Sequence, residues 1–282
     1  MFKKLSNNGL KCFKVIVQSL FIIPETYIFL IIIPFILSFI LNFIHSGQFR
    51  AVIVQPIVMT SLLTPAFGML FLTATVVGDW KESIFIKRMH SMNIGRNTFI
   101  TMLILSLVLI AIPALAIQIG LNFMYDHLNN GSLLNAFDWM SANSFGFSFI
   151  GFIFGYILLI LAGISLSILI TGWIKRRDIV DVIISVLIIL LMLVSDYFFT
   201  PQQMAGNMVY QAFGYLSPFK YATWIAMMSS SGVQHNVWNL ELITFLDEAP
   251  VFTKIWQPIL FSLLIDTCML GLVYLTFKLS FK

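Results

Sequence analysis

The sequence predicts an all-α integral membrane protein with six transmembrane helices in a single domain over residues 1–282. Three observations carry that expectation: the composition, the length of the apolar runs and the placement of positive charge. Hydrophobic residues make up 59% of the chain and charged residues 10%, with a mean hydropathy of +0.95. An average soluble chain is about a quarter charged. This one lacks the polar side chains that would cover a globule in water, and the same arithmetic excludes disorder.

Six runs come close to the roughly 20 residues that cross a bilayer core, at 27–44, 57–77, 99–120, 147–171, 179–199 and 258–277. The first follows a basic N-terminus but has no small-residue cleavage site and is too long for a signal-peptide core, so it is read as a retained span. Pro34, Pro65 and Pro113 fall inside runs, where neighbouring helices and hydroxyl side chains can satisfy the carbonyls that proline frees; kinks are expected there.

The net charge is +4 and the isoelectric point about 9.1, but the position of the charges decides their meaning, and nucleic acid is not an expected partner. With the N-terminus in the cytoplasm, the inner segments hold Lys3, Lys4, Lys11, Lys14, Lys81, Lys87, Arg88, Arg96, Lys175, Arg176, Arg177, Lys278 and Lys282, which is 13 of the 16 basic residues. Only Arg50, Lys220 and Lys254 are left outside. By the positive-inside rule both termini are cytoplasmic and the chain belongs in the plasma membrane.

Residues 1–20, projected as a helix, gather Leu5, Leu10, Cys12, Phe13, Ile16, Val17 and Leu20 on one face and Lys3, Lys4, Lys11, Lys14 and Gln18 on the other. That pattern is an interfacial amphipathic helix, serving as a lipid anchor or a partner contact. Residues 79–96 are too polar for lipid and too apolar for a solvated loop. A short helix there would expose Ile84, Phe85, Ile86 and Met89, which need headgroups or a protein groove to bury against. The third inner segment, with Trp173, Lys175, Arg176 and Arg177, reads as belt and topogenic residues. Asp178 and Asp181 are assigned to capping the fifth span.

On the outer side, 121–146 reads as an exposed loop containing Asn129, Asn130 and Gly131. Residues 200–257 are the longest segment between spans. The apolar stretch 204–228, broken at Pro218, suggests a re-entrant hairpin or two interfacial helices.

No phosphate-binding loop, no metalloprotease motif and no metal-spaced cysteines occur, so neither catalysis nor a cofactor in this chain is expected. Cys12 and Cys268 lie in very different surroundings and are read as free thiols. Asp266 stands near the middle of the sixth run, where a carboxylate is costly and either paired or functional. Asp196, near the outer end of the fifth, is expected to reach headgroups. Gly151 and Gly155 make a G-x-x-x-G, a spacing that the abundance of glycine in membrane helices explains by chance.

The stretch Lys87-Arg88-Met89-His90-Ser91-Met92-Asn93-Ile94-Gly95-Arg96 resembles the segment after the second span in permease subunits of type-2 ATP-binding-cassette exporters. Leu216-Ser217-Pro218-Phe219-Lys220-Tyr221-Ala222 is similar to that family's outer Ser-Pro motif. The amphipathic N-terminus and six spans agree with the family in architecture.

The resemblance implies that Glu82, Ile84, Phe85, Ile86, Lys87, Arg88 and Met89 form a coupling helix docking on a separate ATPase subunit, which would hold ATP and magnesium. It implies further contacts through the N-terminal helix, with Lys4, Lys11, Phe13, Lys14 and Ile16, and through Trp173, Lys175, Arg176 and Arg177. Pro218 would mark the re-entrant element. A second permease copy or a related permease would complete the pathway for an amphipathic or hydrophobic cargo, a peptide before a drug or lipid. The competing readings are an ATP-independent transporter or channel using Asp266, and a non-transporting immunity or sensor protein.

Overall fold

The computed structural model describes residues 2–46, 60–83, 85, 89, 94–129, 132–174, 176–199, 207–230, 234–236, 239–240, 252 and 255–277. Along the chain run α1 (Phe2–Ile22), α2 (Pro24–Tyr27), a π-helical turn (Ile28–Ile32), α3 (Ile33–Ser46), α4 (Pro65–Glu82), α5 (Arg96–Asn129), α6 (Ser132–Trp173), α7 (Arg177–Val194), α8 (Met208–Leu216), α9 (Pro218–Ser230) and α10 (Trp256–Thr276). Two short antiparallel strands, β1 (Gln234–Asn236) and β2 (Asn239–Leu240), precede α10.

Among the described residues, five helices are long and apolar enough to cross a membrane, over Pro24–Ile44, Thr60–Glu82, Arg96–Tyr125, Phe149–Trp173 and Trp256–Thr276. The chain is an α-helical membrane protein. The fifth expected span corresponds to α7, 18 residues long, which carries Arg177, Asp178 and Asp181 at its start. It stops at Val194 rather than Phe199, because Asp196 takes a left-handed φ of 63°. Aspartate is among the few residues that tolerate this conformation at a helix end.

The expected outer loop at 121–146 is largely helix. α5 continues to Asn129 and α6 begins at Ser132, since the sequence there offers no breaker except Asn129-Asn130-Gly131.

Pro34 has no N–H to donate, and the turns before it widen into the π-helical Ile28–Ile32. Its carbonyl accepts from Thr64 Oγ1 at 3.0 Å and Gln118 Nε2 at 3.3 Å, so polar side chains of two neighbouring segments are anchored on the helix at the proline. Nearby, a Cβ on Gly68 would lie 1.8 Å from the Phe29 carbonyl oxygen; only glycine allows the two backbones to meet there. Pro65 interrupts the span Thr60–Glu82: helical residues 60–62 give way to a tight turn at 63–64 and α4 restarts with Pro65 in its first turn, where its missing N–H costs nothing.

At the centre, α6 packs against α4, α9 and α10. The glycines at 151 and 155 are not a chance spacing: added Cβ atoms would come within 2.2 Å of Ser229 Oγ and 2.9 Å of the Ala222 carbonyl oxygen, so they let α9 lie directly on α6. Gly155 faces Ala222 and Ala226 while Gly151 faces Ser229, so the two helices run antiparallel. The other end of α9 brings Phe219 to within 3.5 Å of a Cβ on Gly163, near the middle of the apolar length of α6. Helices α8 and α9 meet at Ser217-Pro218, with α9 packed on α6 and α8 largely exposed, only its Gly214 being buried.

Candidate functional site at the charged end of the bundle

One end of the bundle gathers the C-termini of α4, α6 and α10 with the N-termini of α5 and α7. Aromatic contacts hold it: Trp80 with Phe99, Phe99 with Phe277, and Thr101 Oγ1 hydrogen-bonded to the Tyr274 hydroxyl at 2.8 Å. Here the chain leaving α4 is tied to the junction of α6 and α7. Arg177 forms an ion pair with Asp79 and a second with Asp181 at 3.6 Å. Lys81 Nζ donates to the Thr171 carbonyl and, at 3.4 Å, to that of Ile174, capping the last carbonyls of α6 with a cation. Glu82 Oε1 accepts from the Arg177 backbone N–H at 3.3 Å.

Half-exposed ion pairs contribute about 1 kcal/mol or less each, so the value of this cluster is positional. It joins the exit of α4 to the entry of α7. The N-cap of α7 is Arg176 without a side-chain bond, so neither aspartate caps by hydrogen bond; Asp178 lies in the first turn, where a carboxylate suits a helix N-terminus as expected, and Asp181 is engaged by Arg177.

Beyond α4 the expected coupling residues divide. Ile84, Ile86, Lys87, Arg88 and Lys175 lie outside the described residues. Glu82 is exposed, as expected. Phe85 stacks on Trp80 with ring centroids 4.4 Å apart, and Met89 is 2% exposed. The expectation that these two side chains point outward is corrected: a nearby tryptophan and the bundle core supply the apolar partners that the sequence left unidentified. Trp173 stays 78% exposed, and Arg176 is exposed beside it.

α1 lies along α5, with Gly9 against Met102 and Thr98. Cys12, Ile16 and Leu20 are buried in that contact. Leu10, expected on the same face, is 62% exposed; with Phe13 and Val17 it forms a second apolar strip beside Lys11 and Lys14, while Lys4 belongs to the first turns of the helix. Three faces, toward protein, lipid and headgroups, suit a helix at a membrane surface. Burial pushes the Cys12 thiol up to about 11.

Around the turn between α8 and α9 the structure places two further expected residues. Asp196 does not reach headgroups. It is 1% exposed and pairs with Lys220 Nζ at 3.3 Å, also 1% exposed, while Trp224 Nε1 donates to its Oδ2 at 2.8 Å. Lys220 also sits 5.6 Å from the Tyr210 ring centroid and 5.9 Å from that of Tyr215. Pro218 begins α9 at the turn, where Ser195 and Ser217 share a hydroxyl hydrogen bond of 2.7 Å. Asp266, in α10, is buried apart from both charge clusters.

A third polar group was not expected. Gln118 Nε2 donates to Ser38 Oγ at 2.8 Å, Ser38 Oγ to Asn122 Oδ1 at 3.1 Å and Asn42 Nδ2 to the same oxygen at 3.2 Å. The available signal was a pair of polar residues four apart in each of two apolar runs, Ser38 with Asn42 and Gln118 with Asn122, which places each pair on one helix face. Among the described residues no group of three histidine, cysteine or acidic side chains is arranged to hold a metal ion, and both cysteines are free. In comparisons with known proteins, no family profile, no curated protein and no solved structure matches this chain at a significant level.

Proposed function

We propose that the protein is the membrane-spanning subunit of an ATP-driven exporter, with six spans and both termini in the cytoplasm. It would work beside a second permease and separate ATPase subunits, which carry the ATP and magnesium, and it would move an amphipathic cargo, a peptide before a drug or lipid. The observation that supports this best is the linkage at the charged end. Asp79, Lys81 and Glu82, at the start of the segment that resembles a coupling helix, are bonded to Arg177 and to the last carbonyls of α6. A push on that segment from an ATPase would be delivered at once to α4, α6 and α7, as rigid-body switching requires. The pair α8 and α9 adds a second supporting feature: the break at Ser217-Pro218 falls where the family's Ser-Pro element would, and α8 and α9 would form its re-entrant hairpin.

The contact with the ATPase would use the exposed Glu82, Trp173 and Arg176, with Phe85 and Met89 bracing the segment from behind. The test is affinity purification of the tagged protein from its native cell in mild detergent, with mass spectrometry and an ATPase assay on the product. A stoichiometric nucleotide-binding subunit, depleted by Glu82→Lys and Arg176→Glu while the variants remain folded, is the expected result. Recovery of the chain without any ATPase overturns the exporter reading in favour of an ATP-independent transporter or a sensor.

A further inference from the structure

Helix α10 presents most of its surface outward: Leu260, Leu264, Leu272 and Leu275 are all exposed. Only a narrow stripe, with Pro258, Ser262, Asp266 and Val273, is buried, and the helix packs on α6 and α9. Two polar atoms on that stripe lack partners among the described residues. Asp266 is 3% exposed and Ser262 1%, and neither Asp266 Oδ2 nor Ser262 Oγ has a hydrogen-bond partner there. They are four residues apart, so both point from the same helix face.

The carboxylate is the distinctive member of the pair. Ser106, Ser185, Ser229, Thr267 and Thr276 each return their hydroxyl to the carbonyl four residues earlier, whereas Ser262 leaves that bond unmade, as do the buried hydroxyls of Ser19, Thr73, Thr75 and Ser165. The other deeply buried carboxylate, Asp196, takes a lysine and a tryptophan; Asp266 Oδ2 takes neither. An unpaired carboxylate in an apolar bundle is a cost that packing alone does not explain.

The surroundings of the helix indicate what would satisfy the pair. On the side of α10 next to the buried stripe, Phe261 stacks with Tyr221 at 5.5 Å between ring centroids, and Ile265 packs on a cluster that includes Trp224 and Phe252. Aromatic faces favour a cation and an apolar body together. A hard metal ion would need six or more oxygens, far more than one carboxylate and one hydroxyl supply. A proton on Asp266 would neutralise the carboxylate but make no use of the aromatic faces beside the stripe.

We propose that Asp266 and Ser262 are the polar end of a binding site for a cationic amphiphile, whose ammonium donates to Asp266 Oδ2 and Ser262 Oγ while its apolar body lies along the aromatic cluster of α9. This deepens the exporter reading by naming the chemical class of its cargo, but the binding needs no ATPase and is tested without one.

The experiment uses the full chain in lipid nanodiscs and measures equilibrium binding and thermal stabilisation with dodecylammonium, against dodecanol as the uncharged probe of equal length. Saturable binding of about one dodecylammonium per chain is expected, weakened at least tenfold by Asp266→Asn, to a smaller degree by Ser262→Ala, and retained by Asp266→Glu. Asp266→Asn removes an unpaired buried charge and should melt no lower than the parent, so loss of binding would not reflect unfolding. Equal binding by the parent and Asp266→Asn, or equal saturable stabilisation by dodecanol, overturns the proposal. Binding that persists in a protein that recovers no ATPase sinks the exporter reading and leaves this site standing.

Discussion

Removing one member of the Lys220–Asp196 pair leaves its partner charged among apolar side chains. Breaking a buried pair in this way costs about 3–5 kcal/mol, whereas replacing both members by apolar residues is often neutral. Lys220→Met should therefore lower the thermal midpoint sharply, and Asp196→Asn in the same chain, which removes the charge but keeps a residue that tolerates φ 63°, should restore most of it; additive losses would refute the pairing. Gly214→Ala belongs to the same set, since its Cβ would lie 2.6 Å from Lys220 Nζ.

Cys12 gives a pH-dependent counterpart outside the spans. Its thiol is held above the ordinary value of 9.0, at about 11, by burial. The unfolded chain loses this proton first, so the associated stability is complete below pH 9.0 and is lost as pH rises toward 11. Thermal midpoints measured over that range should fall less steeply in Cys12→Ala than in the parent, and a maleimide should label Cys12 only after unfolding.

Among the elements, the contact of α6 with α9 depends on the absence of side chains at Gly151 and Gly155. Gly155→Leu should force the hairpin off α6 and expose Lys220 and Asp196 together, read as faster proteolysis at the hairpin and a large fall in melting temperature. Gly120→Ala, where a Cβ meets nothing within 4 Å, is the matched control and should change little.

The helices themselves were legible from run length and charge, because lipid imposes a minimum span that composition records directly. The contacts between them were not. A G-x-x-x-G looks the same whether it meets another helix or lipid, and Asp196 and Lys220 lie 24 residues apart, so nothing local marks them as a pair. Phe85 and Met89 were read as exposed because a sequence shows an apolar residue without showing the Trp80 ring that covers it. The polar residues of α3 and α5 carried an i, i+4 signal that apolar counting passes over.

For the whole molecule, the charged end is the one rich in lysine and arginine, and the orientation rule then sets the direction of every helix. Tags at the N-terminus and C-terminus should both be protected in intact cells from an impermeant protease, while a cysteine placed at Asn207 should react with an impermeant thiol reagent and one at Arg176 should not. An accessible N-terminus with a protected Asn207 would reverse the topology. Fold class was therefore set by global quantities, composition and charge asymmetry, whereas the site depended on tertiary proximity, which no single segment of the chain contains.

The Lys220–Asp196 pair also bears on how the protein is made. Neither group can rest alone in an apolar interior, and Asp196 emerges on the chain before Lys220 does. The end of α7 must stay near water until α8 and α9 are synthesised, and the two charges must then enter the bundle in one event. Closure of the hairpin is thus a late, cooperative step of biogenesis, and a chain truncated before Lys220 would be left with an unsealed bundle for membrane quality control to recognise.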